Sequence, residues 1–321
     1  MEYIILLIGF VCLIKGADFF VEGASSIAAS LRVPTLIIGL TIVAFGTSAP
    51  ELAVSITSAI DGKNAIAVGN VIGSNIFNIL MVVGFAAAIL PLKVKKTILI
   101  KELPFTLLAS VILLVMGLDF VLGDVGAVSG LTGYIDRADG LLLLFFFGIF
   151  IYYLVEVALE SRKNNEPEEE IETMPMKKSV LLSIGGIIAI VAGGNWVVDS
   201  ATEIALAWGM SEGLVGLTIV AIGTSLPEFV TSIVAATKGQ SDIALGNVIG
   251  SNIFNIFLIL GISTLINPIP VTGEVISDIL IMILTVLATF AFAITQRKIV
   301  RWEGIVFVLC YFGYMAYIIM R

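Results

Sequence analysis

Two carboxylates occupy places where an apolar chain has little use for charge. Glu51 closes the segment Gly46-Thr47-Ser48-Ala49-Pro50-Glu51, and Glu228 closes Gly223-Thr224-Ser225-Leu226-Pro227-Glu228, each within a long apolar stretch. The proline before each acid has no N–H, and its ring clashes with the carbonyl four residues back, so the carbonyls of Gly46 and Gly223 and of their neighbours lose helical partners. An ionised glutamate at the centre of a bilayer costs at least about 2.5 kcal/mol. Two in register ask for a counter-charge, and no lysine or arginine lies in the apolar stretches that carry them. Irregular backbone at membrane depth is tolerated where it is buried in protein or lines a cavity, and a cation satisfies such oxygens.

A second motif accompanies each acid. Gly69-Asn70-Val71-Ile72-Gly73-Ser74-Asn75-Ile76-Phe77-Asn78 sets Asn70, Ser74 and Asn78 at i, i+4 and i+8, one helical face, and Gly246, Asn247, Gly250, Ser251 and Asn255 repeat it. Gly69 and Gly73 form a small-xxx-small ridge that admits a second backbone and would press Ser74 and Asn78 against the glutamate helix. The ligand set is hard oxygen throughout, which suits sodium and calcium, and calcium's flexible coordination tolerates the mixture better than magnesium's octahedron. Two carboxylates match one calcium ion or at least two sodium ions, so competition for one charged cavity yields exchange without covalent chemistry.

The elements that must position these groups are membrane helices. Of 321 residues, 59% are hydrophobic and 13% charged, far from the roughly 25% charged of soluble domains. Histidine is absent, and Cys12 and Cys310 each sit in apolar sequence, which disfavours a thiolate or imidazole metal site, a disulfide framework and a histidine proton relay. The net charge of −8 comes mainly from loops such as Glu166–Glu170, a solvated acidic linker, and no basic stripe suggests nucleic acid. The start Met1-Glu2-Tyr3 lacks a basic n-region, so the first apolar segment is expected to be a retained span.

Apolar runs predict an all-α membrane protein with ten spans, near 3–22, 35–60, 65–90, 103–122, 140–158, 179–199, 213–237, 242–266, 276–295 and 303–320. The polar interruption from Glu160 to Lys178 divides them into domains 1–158 and 179–321, with a linker over 159–178. With the N-terminus outside, 13 of the 17 basic residues fall on the cytoplasmic side. The positive-inside rule therefore predicts a multi-pass cell-membrane protein with both termini outside and a cytoplasmic linker.

The halves are copies. Gly39–Ile79 aligns without a gap on Gly216–Ile256, 177 residues on, with 28 of 41 positions identical, and Asp18 and Glu22 fall on Asn195 and Asp199. Five spans per copy is odd, so the second copy enters the membrane from the opposite side. Inverted repeats give two nearly isoenergetic arrangements, one open to each side.

At these residues the chain resembles the sodium/calcium exchanger branch of the calcium/cation antiporters, whose two repeats read GTS-x-PE and GN-x-x-GSN-x-x-(N/D). The resemblance covers both repeats and the ten-span layout. It implies calcium coordination by Glu51 and Glu228 with the backbone carbonyls of Thr47 and Thr224. For sodium it implies further ligands from Ser48, Ser225, Ser74 and Ser251, the carbonyls of Ala44 and Ala221, and the amides Asn78 and Asn255. It also implies an exchange of three sodium ions for one calcium ion, with spans 1 and 6 sliding over the other eight. Asparagine at 255, where potassium-dependent relatives carry aspartate, disfavours potassium coupling, and the linker is too short for a large calcium-sensing domain. Besides calcium and sodium ions and the bilayer, no cofactor, nucleic acid or obligate protein partner is expected.

Three other readings fit these residues less well. A proton/calcium exchanger of the same fold replaces the Thr-Ser of the glutamate motif. A cation channel also uses oxygen-lined sites, but one chain with inverted halves speaks against it. An enzyme would need a nucleophile–base pair or a cofactor motif, and neither is present.

Overall fold

The computed structural model describes residues 1–118, 133–164, 173–209 and 221–320. Its long helices are α1 (Glu2–Leu31), the bent pair α2 (Thr35–Thr47) and α3 (Ala49–Ile60), α4 (Ala65–Ile89), α5 (Ile98–Gly117) and α6 (Arg137–Asn164). A second series follows: α7 (Met176–Ala207), α8 (Leu226–Thr237), α9 (Ser241–Ile266), α10 (Gly273–Gln296) and α11 (Arg301–Met320). Among the described residues eight helices are long and apolar enough to cross a membrane, and the α2–α3 pair makes a ninth if it counts as one span. The expected span 213–237 is described only from Ala221 on, the end of the expected span 103–122 lies outside the described residues, and so does the Glu166–Glu170 run.

These helices are apolar on the outside as well as the inside. Leu7, Phe145, Leu181, Leu284 and Leu309 are each more than 60% exposed, a surface that a water-soluble chain does not tolerate and that lipid covers. At the centre α4 and α9 are the most enclosed spans, whereas α6 turns most of its surface outward.

The longest helices, α1 and α7, lie against each other through glycine. A Cβ on Gly16 would stand 2.9 Å from the Ala189 Cβ and the Ile190 nitrogen, one on Gly186 would stand 2.7 Å from the Gly16 carbonyl, and one on Gly193 would stand 2.8 Å from the Gly9 carbonyl. Gly9 meets Gly193 and Val197, Gly16 meets Gly186 and Ile190, and Gly23 meets Ser179 and Ser183, so the two helices run antiparallel. Small residues at seven-residue spacing let the two backbones touch.

Two short ribbons accompany the helices. β1 (Leu92–Lys93) pairs antiparallel with β4 (Lys298–Ile299), and β2 (Gly133–Ile135) with β3 (Ile269–Val271). Each ribbon joins one half of the chain to the other. They form where helices have ended, so their peptide groups pair with each other, and two or three residues per strand is too short for a period-2 pattern to register in sequence. Among the described residues four segments are wound as π-helix, Gly39–Val43, Asn78–Val83, Ile98–Glu102 and Phe254–Leu260. Two of them, Asn78–Val83 and Phe254–Leu260, fall at matching places in the repeat, and such wide turns often mark functional positions.

Candidate cation site

The glutamates are placed by a helix break. Ser48 leaves helical geometry at φ −80°, ψ 7°, Ser225 does so at φ −91°, ψ 7°, and the axis from α2 to α3 bends by 49°. The break falls two residues ahead of each proline, which leaves Pro50 and Pro227 in the first turn of α3 and α8, where a missing N–H costs nothing. Glu51 and Glu228 follow in those same first turns. Both are buried, at 1% exposure.

Each carboxylate is held by a serine of the other copy. Ser225 Oγ donates to Glu51 Oε1 at 3.0 Å, and Ser48 Oγ donates to Glu228 Oε1 at 2.9 Å. Ser251 Oγ adds a bond to Glu228 Oε1 at 3.3 Å, while Ser74 Oγ lies 2.9 Å from Ser225 Oγ. The two acids are thus knitted together through hydroxyls of the α2–α3 break, α4, α9 and the turn before α8.

The motif asparagines do two jobs. Asn70 Nδ2 donates to the Glu51 carbonyl at 3.3 Å and to Ser55 Oγ at 3.0 Å, and its Oδ1 accepts from Thr224 Oγ1 at 3.3 Å. Asn247 mirrors this, donating to the Glu228 carbonyl at 3.4 Å and to Ser232 Oγ at 2.9 Å and accepting from Thr47 Oγ1 at 2.9 Å. The threonine side chains therefore clamp one copy's break to the other copy's helix. The Ala44 carbonyl accepts from the Ser48 N–H at 3.0 Å and from Thr47 Oγ1 at 3.3 Å. Ala221, the repeat partner of Ala44, opens a short helical turn, Ala221–Gly223, and the residues before it, Gly216–Val220, lie outside the described residues.

Two residues of the site were absent from the expected ligand set. Asn255 Nδ2 donates to Asn75 Oδ1 at 2.9 Å, and Asn78 Nδ2 donates to Asn252 Oδ1 at 3.1 Å. Asn75 and Asn252 then bond each other's backbone, Nδ2 to the opposite carbonyl, at 3.2 and 3.3 Å. Asn75 sits beside Ser74 in sequence, about 100° round the helix from the face that spacing selects. Its one signal was identity with Asn252 across the repeat.

With their nitrogens so occupied, Asn78 and Asn255 leave Oδ1 without a hydrogen-bond partner, as do Glu51 and Glu228 at Oε2. These are four buried acceptor oxygens in two repeat-related pairs. Buried acceptors are satisfied in nearly every folded protein, and a set without donors is what a hard cation requires. No described lysine or arginine pairs with either glutamate, and among the described residues no three of His, Cys, Asp and Glu gather as a metal cluster.

The glycine ridge behaves unequally in the two copies. A Cβ on Gly246 would stand 2.9 Å from the Leu36 carbonyl, and one on Gly250 would stand 2.7 Å from the Ala44 Cβ, so α9 packs tightly on α2. A Cβ on Gly69 or Gly73 would meet no described residue of another segment within 4 Å, and the segment that the repeat would set against them, Gly216–Val220, lies outside the described residues.

A family model described as sodium/calcium exchanger protein matches residues 1–156 and 178–320. The sodium/calcium exchanger MaX1 of Methanosarcina acetivorans is 35% identical, with 98% of each chain covered. The inner membrane protein YrbG of Escherichia coli is 37% identical over 82% of this chain and 79% of its own. The solved structure of the sodium-calcium exchanger NCX_Mj soaked with 10 mM sodium and no calcium superposes with a TM-score of 0.83 at 34% identity, covering 98% of each chain.

Proposed function

The chain belongs to the sodium/calcium exchanger protein family, and on that footing we propose that it drives calcium and sodium in opposite directions across a cell membrane at the Glu51–Glu228 site. The observation that carries this reading is the set of four unpartnered buried oxygens on Glu51, Glu228, Asn78 and Asn255. Calcium binds Glu51 and Glu228 with the carbonyls of Thr47 and Thr224. Sodium uses in addition Ser48, Ser225, Ser74, Ser251, the carbonyls of Ala44 and Ala221, and the amides of Asn78 and Asn255. Three sodium ions against one calcium ion would carry one net positive charge per cycle.

The frame for this is ten spans in two inverted five-helix units, 1–158 and 179–321, joined by a cytoplasmic linker at 159–178, with both termini outside. The antiparallel contact of the repeat-related helices α1 and α7, and the two ribbons that each join opposite halves, support the inversion.

Access alternates by sliding of α1 and α7 over the other helices. In support, one end of α1 is fastened to the rest, and among the described residues the matching end of α7 shows no equivalent tie. Lys238 forms an ion pair with Asp18 and donates to the Asp18 carbonyl at 3.0 Å, and Ser25 Oγ lies 2.6 Å from Gln240 Oε1. At the positions 177 residues away, Asp61 pairs with Lys63 at 3.7 Å instead, and Thr202 Oγ1, the counterpart of Ser25, has no hydrogen-bond partner. Fastened at its cytoplasmic end, the protein faces outward.

Replacing Lys238 and Gln240 by alanine should therefore favour the inward-facing form. With Cys12 and Cys310 changed to serine, a cysteine at Ser25, which already lacks the serine bond to Gln240, should react with a cytoplasmic thiol reagent at least about fivefold faster in that background, the shift that ~1 kcal/mol from losing the Lys238 ties to Asp18 produces. Unchanged labelling would remove the latch.

Ion coupling is tested in proteoliposomes loaded with sodium, by following uptake of calcium-45. Uptake is expected with an outward sodium gradient and not with a proton gradient alone. Proton-driven uptake without a sodium response would favour the proton-coupled alternative, and an ohmic single-channel current would favour a channel.

A further inference from the structure

The most isolated buried acid outside the ion site is Glu102. It is 1% exposed, Tyr153 donates to its Oε1 at 2.6 Å, and its Oε2 has no hydrogen-bond partner. Position 279, its counterpart in the second copy, is isoleucine, while Lys95 and Lys101 correspond to Thr272 and Asp278. The transport machinery is duplicated and this feature is not.

Glu102 lines a cavity of about 260 Å³ between the start of α2, the approach to α5 and the end of α6, whose other polar walls include Lys95, Lys101, Tyr153 and Glu160. Lys101 Nζ stands 5.3 Å from the centre of the Tyr153 ring, and Lys95 pairs with Asp242 at 2.5 Å. Basic and acidic groups thus share one small space. A metal ion would find too few oxygen ligands there and two ammonium groups beside it, and a simple anion would meet Glu102, Glu160 and Asp242. A zwitterion fits both signs.

The cavity's surroundings name the source of that zwitterion. Ile100 and Leu159, the chain neighbours of Lys101 and Glu160, are 58% and 54% exposed, so the mouth lies where apolar helix surface gives way to charge, at headgroup level. We propose that this cavity holds the headgroup of an aminophospholipid, its primary ammonium donating to Glu102 Oε2 and its phosphate lying against Lys101 and Lys95. A choline headgroup has no N–H to offer Glu102, so the site selects ethanolamine over choline.

The test is native mass spectrometry of the delipidated full chain in detergent, with synthetic phosphatidylethanolamine and phosphatidylcholine of identical acyl chains. Wild type is expected to retain one ethanolamine lipid at about tenfold preference, the effect of one hydrogen bond to a charged acceptor. Retention should fall stepwise as the amine is methylated, a readout that needs no variant. Glu102→Gln keeps an acceptor for Tyr153 and should abolish the preference, and Lys101→Ala should weaken both lipids alike. Equal retention of the two lipids by wild type, or a preference that survives Glu102→Gln, overturns the proposal. Displacement of the lipid by millimolar calcium would assign the cavity to a metal ion and overturn it as well.

Discussion

Replacing either Glu51 or Glu228 by glutamine is expected to reduce sodium-driven calcium uptake in proteoliposomes by at least about 100-fold, the ~3 kcal/mol that loss of one partner from a buried charge pair carries. Glutamine keeps the volume and, through its carbonyl, an acceptor for Ser225 or Ser48, so the hydroxyl lattice around each acid survives. What disappears is half of the negative charge facing the ion, in a region where no described basic side chain pairs with either glutamate. Both single variants should therefore be extracted from membranes in normal yield and melt at or above the ion-free wild-type temperature, because a buried carboxylate without its ion is a liability that glutamine removes. The pair of variants also tests symmetry, since each acid accepts from a serine of the opposite copy and neither should be dispensable. Normal exchange in one of them would remove that residue from the site.

The second large effect is expected at Asn75 and Asn252, which touch the site only through other amides. Asn75 Oδ1 holds the Asn255 nitrogen and Asn252 Oδ1 holds the Asn78 nitrogen, which keeps oxygen at the end left without a hydrogen-bond partner. Without that grip an amide can rotate by half a turn and offer N–H groups where a cation needs lone pairs. Asn75→Ala and Asn252→Ala should each raise the calcium concentration for half-maximal exchange about tenfold or more, from the 1–3 kcal/mol of an unsatisfied buried partner. Asn75→Asp keeps the acceptor for Asn255 and loses the donor to the Asn252 carbonyl and to Met282 Sδ, so its calcium dependence should lie nearer wild type than that of the alanine variant. A purely structural role would instead lower the ion-free melting temperature of both variants and leave the half-maximal calcium concentration unchanged. That outcome would refute the orienting role.

Much of this site is legible in the sequence because intramembrane charge is so costly. Glu51 and Glu228 had to be explained, and a repeat with 28 of 41 identities named the serines, threonines and asparagines that travel with them. Helical periodicity then selected Asn70, Ser74 and Asn78, and it passed over Asn75 because that side chain projects from another face. The two faces become one site where α4 and α9 cross antiparallel, Asn78 meeting Asn252 and Asn75 meeting Asn255, at the mouths of two π-helical turns. Neither a crossing nor a π-turn has a period that can be read along one chain. Glu102 was unremarked for a related reason, since a single acid beside Lys101 near the end of a span reads as an interfacial residue until packing buries it.

By itself, the sequence determined the membrane class, the duplication and the candidate residues other than Asn75 and Asn252, because composition, identity at fixed spacing and the cost of buried charge are properties of one chain. Only the tertiary structure decided who holds whom. Ser48 and Glu51 share one motif, yet Ser48 bonds Glu228 and Ser225 bonds Glu51. The break that frees a serine hydroxyl turns it away from its own helix, and in an interlocked pair the nearest acceptor belongs to the other copy. The same packing decided that α1 is tied to Lys238 and Gln240 while α7 has no equivalent ties at Asp61 and Lys63. The side chains at matching positions differ, Lys238 against Asp61 and Gln240 against Lys63, and only packing shows which partner each one reaches.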